Sequence, residues 1–286
     1  MAQTVWGLPV ILYLFLGGMG AGAYLTARWA ERYPDSSAVV RVGRWLSGPL
    51  VAVGTVLLVF DLGAGKTHPW RILWLYTDLH SVMTWGTWLL TMFVPVALVH
   101  AFAPAQWTER QRWLHVVGVT LAIGVALYTG VLLAVLKAIP LWNNGLLPVL
   151  FVISAVSTGV AATVLPAVLI DPRVLRTAEG FRSIHLAVVV SELLVLTLFL
   201  FFTAEGSAAG RLSYDMLTTG SLAAAFWIGI VLVGLVLPLL LMALGAGFRS
   251  FTLQRNAVVI EALAVLVGGF FLRYVIVHAG IPQVLF

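Results

Sequence analysis

Eight stretches of this chain run for twenty residues or more with little charge, near residues 8–29, 43–62, 80–102, 112–136, 146–170, 182–203, 220–245 and 256–278. Each is long enough to cross a hydrocarbon core, which takes about 20 residues at ~1.5 Å rise per residue. The chain is 61% hydrophobic and 9% charged, whereas soluble domains carry about 25% charged residues. No aqueous fold buries that much apolar surface, so the solvent is lipid. In lipid a spanning segment must satisfy its backbone hydrogen bonds internally, as a helix does. The expected fold is an all-α integral membrane protein, one transmembrane domain over residues 1–286 with eight helices. Short connections make neighbouring spans antiparallel and leave no room for a soluble domain.

The first residues, MAQTVWGLPVILY, lack a basic leader and run straight into a long apolar stretch, so they read as an uncleaved first span. Eleven of the sixteen cations fall in or beside the loops after spans 1, 3, 5 and 7, from Arg28 to Arg255. Lys66, Arg71, Lys137, Arg211 and Arg273 lie elsewhere. Cations favour the cytoplasmic side, which predicts both termini extracytoplasmic. The +5 net charge therefore reports topology and not nucleic-acid binding. With no cysteine in the chain, disulfides, iron–sulfur clusters held by thiolates and thiolate-bound zinc are excluded within it.

Small residues crowd span 1 (Gly17, Gly18, Gly20, Ala21, Gly22, Ala23) and span 5 (Ser154, Ala155, Ser157, Thr158, Gly159), which predicts close backbone packing there. The GGMGAG run is part of that face; no strand precedes it, so it is not a dinucleotide loop. Spans 1 and 5 resemble each other loosely, and spans 2 and 6 both end in an acid, Asp61 and Glu205. A duplication into two four-helix bundles is expected on that basis. Span 7 is nearly pure hydrocarbon from Leu222 to Leu244 and is expected to pack and face lipid without chemistry of its own.

Polar groups gather toward the outer side. The corner between spans 4 and 5 holds Lys137, Pro140, Trp142, Asn143 and Asn144, with Tyr128 just inside the helix leading to it. Counting residues places Tyr128 roughly 24 Å up a ~30 Å core and Tyr13 ~8 Å below the outer edge. Asp61 ends span 2 at a height similar to Tyr128, and His80 opens span 3 at the outer face. A carboxylate, phenols and an imidazole together can donate, accept and exchange protons with a carbonyl-bearing ligand. The alternative is an interfacial belt, which Tyr and Trp favour; it explains Trp142 better than Asp61. Thr84, Thr87 and Thr91 form a hydroxyl stripe on span 3, either a pocket wall or groups bonded to their own backbone.

Glu192, Glu261 and Arg273 lie deeper. Intramembrane charges cost roughly 2.5–3.5 kcal/mol on insertion scales and take partners or water. Glu192 is expected to stand nearly alone at mid-depth, as a structural carboxyl or as a step in a proton route with Glu261 and Arg273. His100, His115 and His185 sit near cytoplasmic ends and could pair on a haem, or be interfacial and solvated.

The strings YLFLGGMGAGAY, LVFDLG, SVMTWGTWLLT and YTGVLL…PLWNNGLLPVLF…SAVSTG together resemble the NrfD/polysulfide-reductase membrane-subunit family. The likeness covers roughly the first 165 residues closely and the remainder in helix number and character. It implies a haem-free eight-helix subunit that binds a quinone near the outer face. It further implies electron exchange with an extracytoplasmic subunit carrying [4Fe–4S] clusters, docked to a molybdopterin catalytic subunit. The family's polar ligand position on span 1 falls on Tyr13, its quinone-side tyrosine on Tyr128 and its span-2 acid on Asp61. Family members follow that acid with arginine and proline; here the run is DLGAGKTHPWR, with Lys66 or Arg71 in place of that cation.

The residues and the resemblance together give the expected site. Tyr13, Asp61, His80, Tyr128, Trp142 and Asn143 bind quinone, Glu192, Glu261 and Arg273 move protons, and Lys66, Arg71 and Lys137 contact the partner. The expected role is menaquinol oxidation or quinone reduction for an anaerobic respiratory complex in a prokaryotic inner membrane. The alternatives are a haem b cytochrome subunit and a secondary transporter.

Overall fold

A computed structural model describes residues 6–33, 35–61, 69–103, 111–245 and 250–283. Among these the chain is helical throughout: α1 Leu8–Ala30, α2 Ser37–Asp61, a 3₁₀ segment Pro69–Tyr76, α3 Val82–Phe102, α4 Arg112–Ala134, α5 Leu146–Ile170, α6 Val174–Glu205, α7 Ala208–Thr218, α8 and α9 Phe251–His278. In α8 the first part, Ala225–Val236, is π-helical and the second, Leu237–Gly245, is α-helical. Eight of these helices are long and apolar enough to cross a membrane. The protein is multi-pass, and the spans lie where the apolar runs predict.

Three features differ from the sequence reading. Helix α6 begins at Val174, two turns ahead of its apolar part at Arg182–Glu205, because the Asp171 carboxylate accepts the Arg173 backbone N–H and starts a turn there. An unexpected amphipathic helix, α7, occupies the connection after α6. Its Ser207 N-cap accepts from the Gly210 N–H at 3.2 Å, and it buries Gly210, Ser213 and Leu217 on one face. Span 7 opens as a π-helix, with Gly229 against the Phe271 ring and Gly234 against Gly268 of α9.

The centre of the molecule is α1 against α5. A Cβ placed on Gly22 lies 1.9 Å from the Ala155 carbonyl oxygen, and one on Gly159 lies 2.2 Å from the Gly22 carbonyl carbon. The two backbones thus touch where the small residues predict. Around them, α1 packs on α2, α2 on α3, α3 on α4 and α4 back on α1. In the other half, α5 meets α6 and α9, and α8 meets both of these.

Both ends of the described chain, Trp6 and Gln283, lie on one face of this bundle. Trp6 stacks on Trp142 of the α4–α5 corner at 5.2 Å, and the Gln283 N–H donates to the Ala138 carbonyl in the same corner. This is the terminal face, and the other is the opposite face.

Candidate functional site

Helix α1 is polar at only a few buried points, and the first is Tyr13. Five residues from the helix start, it lies ~8 Å below the terminal end. Its side chain is 0% exposed, and its hydroxyl is buried with no hydrogen-bond partner. Such an orphan is unusual, since leaving a buried donor unmet costs about 1–3 kcal/mol. Tyr128 of α4 stands within electrostatic range of it. The Tyr128 ring lies over Gly86 of α3, where a Cβ would sit 1.7 Å from Cζ. Gly17, one turn below Tyr13, separates the Tyr13 ring from the Thr129 methyl. Glycines on two helices, α1 and α3, thus make the space in which the two phenols lie.

The other residues expected beside them spread toward the rim. A Cβ placed on Gly54 of α2 would lie 3.4 Å from the Tyr13 carbonyl oxygen, so Asp61, two turns further along α2, stands ~10 Å nearer the terminal face. His80 is exposed in the turn before α3, with its N–H bonded to the Asp78 carboxylate. The hydroxyl stripe divides three ways. Thr84 is buried, Thr87 bonds its own backbone at Met83 and Thr91 pairs with the Tyr76 phenol at 2.7 Å.

The corner itself is a clasp. Trp142 is buried, its indole N–H donates to the Ile276 carbonyl at 2.8 Å, and its ring rests against Gly280. An interfacial tryptophan half in water was the alternative; instead the indole ties α9's end to the corner. Asn143 donates to the Ala134 carbonyl at 2.7 Å and so closes the last turn of α4. The side chains of both residues thus donate to backbone carbonyls. Lys137 is exposed. Arg71 lies in the 3₁₀ segment, where its side chain is not described, and Lys66 falls outside the described residues.

Deeper, the ionisable residues form a connected group. Arg273 of α9 is 0% exposed. Its Nη1 donates to the Ser154 hydroxyl of α5 and to the Gly269 carbonyl, and its guanidinium lies 5.1 Å over the Phe151 ring. Room for it comes from Gly18 and Gly269, where a Cβ would approach its nitrogens at 3.4 Å. Glu192 of α6, 8% exposed, is the carboxylate whose charge acts on it. Ser154 and Ser157 both face that carboxyl, but Ser157 completes no hydrogen bond of ordinary geometry. On the opposite-face side, His185 Nδ1 pairs with Glu261 Oε1 at 2.9 Å. The expectation that Glu192 stands nearly alone is therefore corrected: α5, α6 and α9 bring Ser154, Ser157 and Arg273 around it. Sequence reasoning missed the two serines, which read as packing residues only. It placed His185 among haem candidates although it sits on the same buried seam as Glu192, with Val189, Leu196, Phe199 and Thr203.

With this arrangement in view, the comparisons with known proteins are decisive for ancestry. The sequence profile described as "Polysulphide reductase, NrfD" matches residues 1–285. The chain belongs to this family. Relatives include a polysulfide reductase chain of Wolinella succinogenes, 31% identical over 97% of this chain and 94% of the relative. Protein NrfD of Escherichia coli is 31% identical over 97% and 95%. A selenate reductase subunit of Mesobacillus selenatarsenatis is 21% identical over 87% and 68%.

In this NrfD-family chain the histidines near the opposite face are held by one another and by an acid. His100 Nε2 lies 3.2 Å from His115 Nδ1, with ring centroids 5.1 Å apart, and the Tyr24 hydroxyl lies 3.4 Å from His100 Nδ1. Two imidazoles in direct contact leave no gap for a porphyrin plane between them, and His185 Nδ1 is bonded to Glu261. Among the described residues, His100 and His115 therefore do not stand on opposite sides of a porphyrin-sized gap. Polar groups do gather at mid-depth, as a transporter would need, but membership of the family weighs against that alternative.

Proposed function

We propose that this chain is the quinone-binding membrane subunit of a respiratory molybdopterin oxidoreductase complex in a prokaryotic inner (cytoplasmic) membrane. It passes electrons between menaquinol and an iron–sulfur subunit, which carries [4Fe–4S] clusters and docks with the molybdopterin subunit on the terminal face. Charge bias supports that face being extracytoplasmic. The names of the relatives, components of polysulfide and selenate reductases, support an oxidoreductase complex as the setting. The two rings of packed helices support a pair of four-helix bundles joined through α1 and α5.

The observation that carries this reading is the Tyr13 hydroxyl, a buried donor without an acceptor, beside Tyr128 and near the terminal face. A quinone oxygen would supply the missing acceptor. Quinol oxidation releases two protons with two electrons, so titratable groups must stand nearby; Asp61 and His80 lie on the way out to the rim. Trp142 and Asn143 shape the rim while donating to backbone carbonyls. Lys66, Arg71 and Lys137 offer the partner a basic surface. Glu192, Glu261 and Arg273 form a proton route from the opposite face.

Replacing Tyr13 by phenylalanine keeps the packing and deletes the donor. A hydrogen bond between neutral groups contributes about 0.5–1.5 kcal/mol, so quinol oxidation by the assembled complex should lose about 2- to 10-fold in kcat/KM. Unchanged kinetics in a correctly assembled Tyr13→Phe complex would remove Tyr13 from the site. Glu192→Gln, which keeps the size and polarity of the side chain, should assemble normally and turn over more slowly; wild-type turnover takes Glu192 out of the proton route.

A further inference from the structure

The second half of the molecule contains a cavity that quinol chemistry at Tyr13 does not use. It lies between α5, α6, α8 and α9 toward the opposite face and encloses about 90 Å³. Its apolar wall includes Leu241 and Met242, and its polar side chains are Arg182, His185, Gln254 and Glu261. One water needs roughly 10–15 Å³ of such space and two to four polar partners, so a small water cluster fits and has groups to hold it.

His185 gives the cavity a direction. The residue is 6% exposed; its Nδ1 is bonded to Glu261, and its Nε2 is buried without a partner. A carboxylate on Nδ1 fixes the tautomer with the proton on that nitrogen and leaves the Nε2 lone pair free. A lone pair beside water-sized space is a proton acceptor. Seven residues further along the same buried seam, ~10 Å by helix rise, stands Glu192, with the unpaired Ser157 hydroxyl facing it from α5.

We propose that this cavity is a hydrated vestibule open to the opposite face, and that His185, oriented by Glu261, takes up protons there and delivers them toward Glu192. The proposal rests on the proton route proposed above and adds its point of uptake. A hydronium in the cavity loses one O–H bond and leaves water, while an N–H bond forms at His185 Nε2. The imidazolium is held by the Glu261 carboxylate. Delivery breaks that N–H bond and protonates a water between His185 and Glu192, returning the imidazole to its neutral form. Arg182 on the same helix and Glu192 above it are the other charged groups facing His185; the wall from α8 is apolar and Ser157 represents α5.

The absence of cysteine makes the hydration test direct, since any introduced thiol is unique. Ala257→Cys and Leu241→Cys line the cavity, whereas Ile260→Cys lies on the outer, 48% exposed face of α9. In sealed vesicles, a membrane-impermeant thiosulfonate reagent should label the first two from the opposite face only and leave Ile260→Cys untouched. In vesicles holding the intact complex, His185→Asn should reduce proton uptake from that face per quinol oxidised to less than half. Quinol oxidation should slow as it does in Glu192→Gln, with the complex assembled as in wild type. Unlabelled cavity thiols mean a dry cavity and overturn the proposal. So does proton uptake that His185→Asn leaves unchanged, or a wild-type complex that takes up no protons from that side. A wild-type complex that fails to oxidise quinol sinks the quinone reading instead, and leaves the labelling result standing.

Discussion

Arg273→Leu should destabilise the protein by about 3–5 kcal/mol, and Glu192→Leu by a similar amount, yet the double substitution should recover most of the loss. Removing one of two opposite charges buried near each other leaves the survivor charged and unsolvated, which is the expensive outcome, whereas replacing both by apolar groups can be neutral. Here the surviving charge would lie in a membrane interior, where water offers little relief. Arg273 is fully buried against Ser154, Phe151 and Gly18, and Glu192 is the carboxylate acting on it. Thermal unfolding of the purified subunit in mild detergent reads the three variants as a double-mutant cycle. A coupling below about 0.5 kcal/mol would mean that the two charges are independently satisfied, and the network drawn between α6 and α9 would not exist as an energetic unit.

That network also marks where sequence reasoning stops. An apolar run long enough to cross lipid has one structural solution, so the spans were legible, down to the limits of α5 at Leu146–Ile170. A single buried carboxylate announces that it needs a partner, and Glu192 did so. Which partner it finds depends on how helices from distant parts of the chain rotate against each other. Ser154 and Arg273 are 119 residues apart, and His185 and Glu261 are 76 apart; no local periodicity encodes those pairings. The depth of Trp142 was also readable, but its role was not. Belt tryptophans and buried clasps occupy the same height, and only the Ile276 carbonyl and the Trp6 ring distinguish them. The π-helical opening of α8 left no mark in composition, although Gly229 and Gly234, which let α9 approach, were in plain sight. Tyr13 and Tyr128 lie within electrostatic range of each other, while Asp61 lies nearer the rim than the height of Tyr128 that residue counting gave it, and His80 is exposed at the start of α3.

The small residues of span 1 are the most sensitive part of the fold. Gly22→Leu should prevent accumulation of folded protein, with at most about one-tenth of the wild-type amount recovered after detergent extraction and size exclusion. In lipid, apolar surface drives helices together no better than it drives them to acyl chains, so association depends on close van der Waals fit. At Gly22 the neighbour is backbone: the first side-chain carbon would stand 1.9 Å from the Ala155 carbonyl oxygen and 2.7 Å from its carbon. A flexible side chain can swing aside, but α5's main chain can yield only by moving the whole helix. That motion would pull Ser154 away from Arg273 and open the packing at Gly159 and Gly43, which rest on the same stretch of α1. Overpacking of a side-chain contact typically costs about 1–3 kcal/mol, and a backbone contact repeated across two helices should exceed that range. Gly145→Leu is the control, because nothing lies within 4 Å of a Cβ there; it should accumulate like wild type. Equal yields from Gly22→Leu and Gly145→Leu would show that α1 and α5 do not touch at this crossing, and the placement of Arg273 between them would fall with it.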